Sequence, residues 1–422
     1  MPTWLTDVLS NNAQLVTSII VILVVIHVCL GAAAYLILLE RKLSAWAQDR
    51  LGPNRVGPLG LLQPIADGLK LFLKEDFIPR GADKWLFIIA PGLTVITAMV
   101  AFAIIPWAGE LHIAGHSVKV MVADINVGII YLIAVTSMSV YGVALGGWAS
   151  NSKYSFLGGL RASAQMISYE IPMGLALLCL ILTAGTVQAD EIVALQMGHG
   201  NQWFILHQPL AAILFYTAML AEANRAPFDL AEAEAELVGG WHTEYSSMKW
   251  AMFFLGEYVS MIVGSAFFVT LFLGGWSLNP IGIGPDLPLG GGIGMILLQF
   301  GIVLGKAFLV ICLTMMVRWT LPRFRFDQLM RLSWEGMIPA ALLLLLVTSF
   351  MVYMGWVHDW MWLASLATIA VIWIVYPMLP RQASANRRIP LIGSRFSPLN
   401  DRDASTAPSD PRALAEITSG ER

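Results

Sequence analysis

Apolar runs of about twenty residues recur along most of the chain, and no other feature limits its fold so tightly. A helix needs roughly 20 residues to cross about 30 Å of hydrocarbon, where the backbone must satisfy its own hydrogen bonds. Such a chain is an all-α, polytopic transmembrane helical protein. Only 13% of its 422 residues are charged, too few to give most of these helices a water-facing side. About nine spans are expected, at 15–39, 85–106, 121–146, 164–186, 203–222, 250–275, 293–317, 338–356 and 360–379. Residues 1–380 are read as a single membrane domain. Residues 381–422, rich in Ser, Ala, Pro, Arg and Asp, are expected to form a mostly disordered tail. No cleavable signal peptide is expected, because a basic leading segment is missing and the first apolar run is about 25 residues long before Glu40-Arg41-Lys42.

Positive charge sets the orientation. Eight cations lie between the first two spans: Arg41, Lys42, Arg50, Arg55, Lys70, Lys74, Arg80 and Lys84. Lys153 and Arg161 follow the third span, Arg225 and Lys249 the fifth, and Arg318, Arg323, Arg325 and Arg331 the seventh. The alternate loops hold only Lys119. The N-terminus is therefore expected outside and the C-terminus inside, in the cytoplasm. Cys29, Cys179 and Cys312 each stand alone in an apolar run, without metal-ligand spacing. With no phosphate loop and no dinucleotide fingerprint, the chain is expected to carry no metal, redox centre or nucleotide site of its own. No internal repeat marks a transporter built of inverted halves.

The first charged loop is more than a connector. LGPNRVGP, residues 51–58, is rich in the residues that fix turns. Leu61, Leu62, Ile65, Leu69, Phe72 and Leu73 then repeat at helical spacing opposite Gln63, Asp67, Lys70 and Lys74, which predicts an amphipathic helix over 60–74. It either lies in the membrane interface or turns its polar side to a cavity or a soluble partner.

The acids are unusual in place and company. FDLAEAEAELVGGWHTEY, residues 228–245, holds five carboxylates and no Lys or Arg. In helical form Glu232 and Glu236 share one side and Glu234 points away. Glu170 and Glu257 fall about 10 Å inside their expected spans, with Glu222 near the inner end of its own and Lys306 at a similar level counted back from Arg318. A charge near the bilayer centre costs about 2.5–3.5 kcal/mol on insertion scales, so such groups persist in a polar cavity, in pairs, or by taking up protons. Clustered carboxylates share protons, and a row of them makes a proton path. The structural alternatives are an ion pair of Glu222 with Arg225 and a Lys306 that snorkels to the interface. His27 is read as a hydrogen-bonded core residue.

ERKLSAWAQDRLGPNRVGPLGLLQPIADGLKLFLKEDFIP (40–79), GLRASAQMISYEIPMGL (159–175), AEANRAPFDLAEAEAELVGGWHTEYSSMKW (221–250) and LPRFRFDQLMRLSWE (321–335) resemble, in order, the motifs of the H-type membrane subunits of bacterial NADH:quinone oxidoreductase, respiratory complex I. The likeness covers roughly residues 10–356. It departs from the family at Ala231, where proline is usual, and in the long tail; the family core has eight helices and some bacterial members a ninth. The resemblance implies a subunit of a proton-translocating enzyme, with quinone as substrate and with FMN and iron–sulfur clusters on partner subunits. Those partners would be soluble iron–sulfur subunits at the quinone site and small membrane subunits. It further implies that Arg41, Trp46, Arg55, Asp67 and Lys70 line or support a quinone tunnel. Glu170, Glu222, Arg225, Glu232, Glu234, Glu236 and Glu257 would form the charged passage toward the pumping subunits. A stand-alone ion transporter and the membrane subunit of an energy-converting hydrogenase are the rival readings.

Overall fold

The computed structural model describes residues 13–113, 116–197, 202–229, 238–282, 287–356 and 360–375. Glu232, Glu234, Glu236, Ala231 and the tail at 381–422 lie outside the described residues. A first unit ends at Ile372; of the second, Trp373–Arg422, only the end of one helix is described.

α1 (Ala13–Ala47) runs 35 residues, about 52 Å at 1.5 Å per residue, and so outreaches a bilayer core. It continues through Glu40 and Arg41, because charge ends an apolar run without ending a helix that favours both residues. After the turn-rich loop comes the predicted amphipathic helix α2 (Gln63–Leu73), none of whose residues is buried by this chain. α3 (Lys84–Ala101) starts on Asp83, whose carboxylate caps it by accepting from the backbone N–H groups of Trp85 and Leu86. On the far side a small sheet forms from β1 (Glu110–Ile113), β2 (His116–Lys119) and β3 (Gly290–Gly291), in the order β2-β1-β3. β1 pairs antiparallel with β2 and parallel with β3. This is the one departure from all-helical structure among the described residues.

The third span is broken in its middle into α4 (Gly128–Ser137) and α5 (Ser139–Ala149). α6 (Lys153–Ala184) is the central helix, packed against α5 and against the later helices α9 and α13. α7 (Ala189–Leu195) and α8 (Phe204–His207) are short, and α9 (Pro209–Glu222), α10 (Ser247–Phe272) and α11 (Ile293–Thr320) complete the middle of the fold. α12 (Phe326–Arg331) passes through a π-helical turn, Leu332–Met337, into α13 (Ile338–Tyr353), and α14 (Trp362–Val375) follows.

Seven of these stretches are long and apolar enough to cross a membrane, where about nine were expected. The expected fifth and ninth spans are the short apolar helices α9 and α14. In the fifth, Pro209 lacks an N–H and disfavours helix at the residue before it, and Gln208 leaves the helical region with φ −133° and ψ 64°. At its other end α9 stops at Glu222, after about 21 Å of rise. Residues 223–229 continue it as irregular, fully buried chain. Such backbone is tolerated at membrane depth only inside protein, where its polar groups find partners.

Side-chain ties bring the charged loops onto one face. The Ser247 hydroxyl lies 2.8 Å from the carbonyl oxygen of Leu71 and 3.0 Å from that of Lys74, one proton serving the pair, and Lys249 pairs with Asp76 at 2.8 Å. Ser155 donates to the Trp241 carbonyl at 2.7 Å, and the Phe324 N–H to the Pro227 carbonyl at 3.2 Å. The first loop, residues 223–229 and 238–246, and the α11–α12 link therefore adjoin one another.

Candidate functional site

The site begins where α9 gives out. Gln165 of α6, fully buried, donates its amide to the carbonyls of Ala221 at 2.9 Å and Phe228 at 2.7 Å, pinning both ends of the irregular segment. The Arg225 N–H reaches back to the Leu220 carbonyl at 3.2 Å. These bonds carry Arg225, only 4% exposed, into the interior. Its guanidinium lies 4.0 Å from the ring centre of Tyr258 and 5.6 Å from that of Phe254, on one face of α10. Aromatic faces attract such a cation most strongly where water is excluded.

Arg225 stands between two carboxylates at nearly equal distances, 3.7 Å from Glu40 and 3.9 Å from Glu257. Glu40 is buried at the far end of α1. It accepts the Tyr258 hydroxyl at 2.5 Å on the oxygen facing Arg225, and Arg318 of α11 donates to its other oxygen. A buried charge survives only when paired and hydrogen-bonded, and Glu40 meets both conditions.

A cleft of about 420 Å³ opens beside this cluster, with polar lining from Glu40, Arg41, Ser44, His242, Tyr258 and Arg318 and apolar walls from Trp250, Phe254 and Trp319. Further in, a cavity of about 30 Å³ is lined by Glu257, Glu222 and Asn224 with the hydroxyls of Thr94, Ser139 and Ser260. A smaller one, about 10 Å³, joins Glu222 to Glu170, Thr136 and Ser137. Ser137 donates its hydroxyl to Glu170. The carboxylates thus form a row, Glu40, Glu257, Glu222 and Glu170, drawn from α1, α10, α9 and α6.

Four of the expected site residues are brought into or beside this row: Glu170, Glu222, Glu257 and Arg225. Glu170 sits deeper along its helix than expected, 17 residues past Lys153, because α6 begins eleven residues before the apolar run does. Lys306 is not in the shared layer. Its ammonium donates to the carbonyls of Leu273 at 2.6 Å, Gly275 at 2.8 Å and Ser277, and sits 4.1 Å from the Trp203 ring centre. Those groups lie beyond the end of α10, about 24 Å along that helix from Glu257. Helical side chains tilt toward their own N-terminus, and α11 starts on the sheet side, so Lys306 reaches away from the acids. His27 is likewise corrected: it is exposed on α1, its Nδ1 2.7 Å from the Leu23 carbonyl oxygen.

The expected tunnel residues divide. Arg41 lines the cleft and pairs at 2.8 Å with Asp67, which also receives the Gln63 amide at 3.1 Å and has Lys70 3.8 Å away. Trp46 and Arg55 are exposed and do not line it. Sequence reasoning passed over Glu40 and Arg318, which it counted only as charges bounding apolar runs, and Tyr258, hidden in an aromatic-rich span. A signal was present: Glu40 is the first residue of the resemblance motif at 40–79, and Tyr258 directly follows Glu257. No group of three or more His, Cys, Asp or Glu that could hold a metal ion occurs among the described residues.

Comparison with known proteins places this geometry in context. The family model described as NADH dehydrogenase matches residues 19–349. The chain is 49% identical over 329 residues to an H-type subunit of NADH-quinone oxidoreductase from Geobacter metallireducens, covering 78% of this chain and 94% of the relative. It is 50% identical over 327 residues to the corresponding subunit of Rhodospirillum rubrum, covering 78% and 91%, and 47% identical over 331 residues to one from Cytophaga hutchinsonii, covering 78% and 95%. The match to the family ends before α14.

Proposed function

Because this chain belongs to the family of H-type membrane subunits of NADH-quinone oxidoreductase, we propose that it walls the membrane part of a quinone tunnel and passes protons along its carboxylate row. As a multi-pass membrane subunit it works with other subunits of complex I. In this reading electrons reach the quinone from an iron–sulfur cluster on a soluble neighbour that is fed in turn from FMN. This chain supplies position, charge and proton paths. The names of the relatives favour this over the hydrogenase subunit and the stand-alone transporter. Residues 1–380 act as one membrane domain, with the N-terminus outside and 381–422 as a tail in the bacterial cytoplasm.

The observation that carries the reading is the sharing of residues between adjoining spaces. Glu40 and Tyr258 line the cleft, Arg225 joins Glu40 to Glu257, and Glu222 lines both cavities beyond. Reduction of a quinone to a quinol takes up two electrons and two protons. Negative charge arriving in the cleft is drawn to Arg41 and Arg318 at its wall. Arg318 then compensates Glu40 less fully, and Arg225 shifts its weight from Glu257 toward Glu40. A carboxylate that loses its cation binds a proton more readily, so Glu257 takes one up and hands it toward Glu222 and Glu170. Arg41, Asp67 and Lys70 hold the tunnel wall. Trp46 and Arg55 complete it against the partner subunits, and Glu232, Glu234 and Glu236 extend the acidic mouth.

Glu257→Gln keeps the shape and the hydrogen bonding but removes the titration. It should leave the complex assembled and lower NADH-driven quinone reduction and proton movement together. Fully coupled activity in assembled Glu257→Gln complex would overturn the reading.

A further inference from the structure

The third span is interrupted at Met138, between α4 and α5. Helix α4 ends at Ser137 and α5 starts at Ser139, and the four residues Thr136-Ser137-Met138-Ser139 bring three hydroxyls to one turn. Hydroxyls that bond back to the preceding turn bend a helix, and here Thr136 donates to the Ile133 carbonyl at 3.1 Å while the Ser137 hydroxyl lies 2.6 Å from the same oxygen. All three face the acids: Ser137 bonds Glu170, Thr136 lines the small cavity shared by Glu170 and Glu222, and Ser139 lines the cavity between Glu222 and Glu257. From the opposite wall, Ser260 of α10 lines that same cavity one turn beyond Glu257.

Volumes separate the two steps of the row. A water needs about 10–15 Å³ of accessible space and two to four polar partners. The space between Glu222 and Glu170 is about 10 Å³, at the lower limit, and its two hydroxyls are already engaged, Ser137 with Glu170 and Thr136 with the Ile133 carbonyl. The space between Glu257 and Glu222 is about 30 Å³ and offers two carboxylates with the hydroxyls of Ser139, Ser260 and Thr94. A third space, also about 30 Å³, extends it past Ser139, Ser260 and Glu222 toward Thr97 and Thr136.

We propose that Ser139, at the broken turn, and Ser260, facing it, are positioning residues that hold a relay water between Glu257 and Glu222. The proposal rests on the carboxylate row being the proton path. The Glu257 O–H bond breaks as its proton joins the water oxygen, and one of the water's own protons forms the new O–H on the Glu222 carboxylate. One proton moves, the water is regenerated, and no electron is transferred. Ser139 and Ser260 accept or donate to the water throughout and keep it in line with both acids.

The test uses the whole complex in closed membrane vesicles, carrying Ser139→Ala/Ser260→Ala, with Ser139→Thr/Ser260→Thr as the rescue that keeps both hydroxyls. NADH oxidation by an artificial acceptor that bypasses quinone normalises for assembled enzyme. The alanine pair should lower kcat for quinone reduction about tenfold, the loss expected from a weakened proton-transfer step. Its KM for quinone should stay unchanged and its solvent deuterium isotope effect should rise, while the threonine pair recovers most of the rate. If the alanine pair does not assemble, the cysteine pair, nearly isosteric and weak in hydrogen bonding, takes its place with the same expectations. Wild-type kcat and isotope effect in the serine variants, alongside an impaired Glu222→Gln, would overturn the water relay and leave the carboxylate path standing. Full coupling in Glu222→Gln as well would overturn the path itself. An unaltered kcat with a raised KM would place both serines in quinone binding and also overturn the relay.

Discussion

Tyr258 donates its hydroxyl to Glu40 at 2.5 Å across 218 residues of sequence, and Arg225 lies 4.0 Å from the centre of the same ring. One side chain therefore serves the anion with its edge and the cation with its face. Tyr258→Phe keeps the face and removes the donor, leaving a buried carboxylate oxygen one bond short, a loss of about 1–3 kcal/mol. Tyr258→Leu forfeits the ring attraction as well, about 2 kcal/mol or more in a dry site. Thermal unfolding of the purified complex should rank wild type above Phe and Phe above Leu. Equal melting of the two variants would mean that the ring contributes nothing beyond its hydroxyl.

A second prediction concerns the first loop. Asp67 gathers Arg41, Gln63 and Lys70, and only Arg41 of these lines the cleft. Asp67→Ala frees Arg41 to point elsewhere, so the apparent KM for a short-chain quinone should rise several-fold at nearly constant kcat. Asp67→Asn, which can still accept from Arg41, should fall between. Steady-state kinetics across quinone concentrations decides this, and a loss confined to assembly would make the loop a docking surface instead.

Gly158 permits the closest backbone approach at the site. A Cβ there would lie 2.6 Å from Gly240 backbone atoms and 2.7 Å from the Trp241 nitrogen. Gly158→Ala must push the 240–245 segment off α6, moving His242 at the wall of the cleft and straining the Ser155 bond to Trp241. Backbone cannot swing aside as a side chain can, so the expected result is a reduced rate per assembled complex together with lowered stability. Limited proteolysis within 238–246 should quicken in the variant. Unchanged cleavage with full activity would show that the segment repacks without cost.

The legible part of this protein was its hydropathy and its motifs; what they left out was where helices begin and end and which charges the fold buries. Apolar runs located every long helix but missed some ends by about two turns: α1 runs on to Ala47 past the expected end at 39, and α4 starts at Gly128 instead of 121. They misjudged α6, whose first eleven residues are helical yet polar enough to read as loop. They also credited α9 with a full crossing, although Pro209 and the buried chain after Glu222 shorten it. Glu170, Glu222, Glu257 and Arg225 stood out because isolated charge in an apolar run is costly. Glu40 and Arg318 did not, because a charge at the end of a run looks like any solvated flank until the fold buries it. Lys306 shows the reverse error: helical rise fixed its height, but the tilt of its side chain decided which end of the bundle it serves.

A pH prediction follows on the sheet side. Lys119 pairs with Asp124 at 2.7 Å and with Asp190 at 2.6 Å, tying β2 to α7, and Gln14 of α1 bonds its backbone. Partial burial opposes its charge, but the two carboxylates outweigh that and hold the ammonium's pKa above its ordinary value of 10.5. A folded-state pKa above the unfolded one contributes stability that is fully present below the unfolded pKa and fades as pH climbs toward the folded one. The tie should therefore be constant from pH 6 to about 9 and weaken only above roughly 10.4. Solvent screening keeps its size modest. Thermal unfolding at rising pH should show an alkaline decline that is shallower in Lys119→Met, which starts lower and has less to lose. An identical alkaline slope in both proteins would assign that decline to other groups.

Lys306 provides the sharpest contrast between a latch and a path. Its ammonium converges on three carbonyls where α10 has ended, the negative end of that helix's dipole, and Trp203 covers it. Lys306→Met removes a charged donor from all three oxygens at once, and each bond to a charged group is worth about 1.5–3 kcal/mol before relaxation. The complex should melt earlier and assemble in lower yield. Lys306→Arg should recover only part of this, because a planar fork cannot aim at three converging acceptors as a compact ammonium does. The pH profile of quinone reduction, measured per assembled complex, should keep its shape in Lys306→Met and change in Glu257→Gln. A shifted profile in Lys306→Met would return this lysine to the proton path, since a latch about 24 Å from Glu257 along α10 touches none of the row's carboxylates.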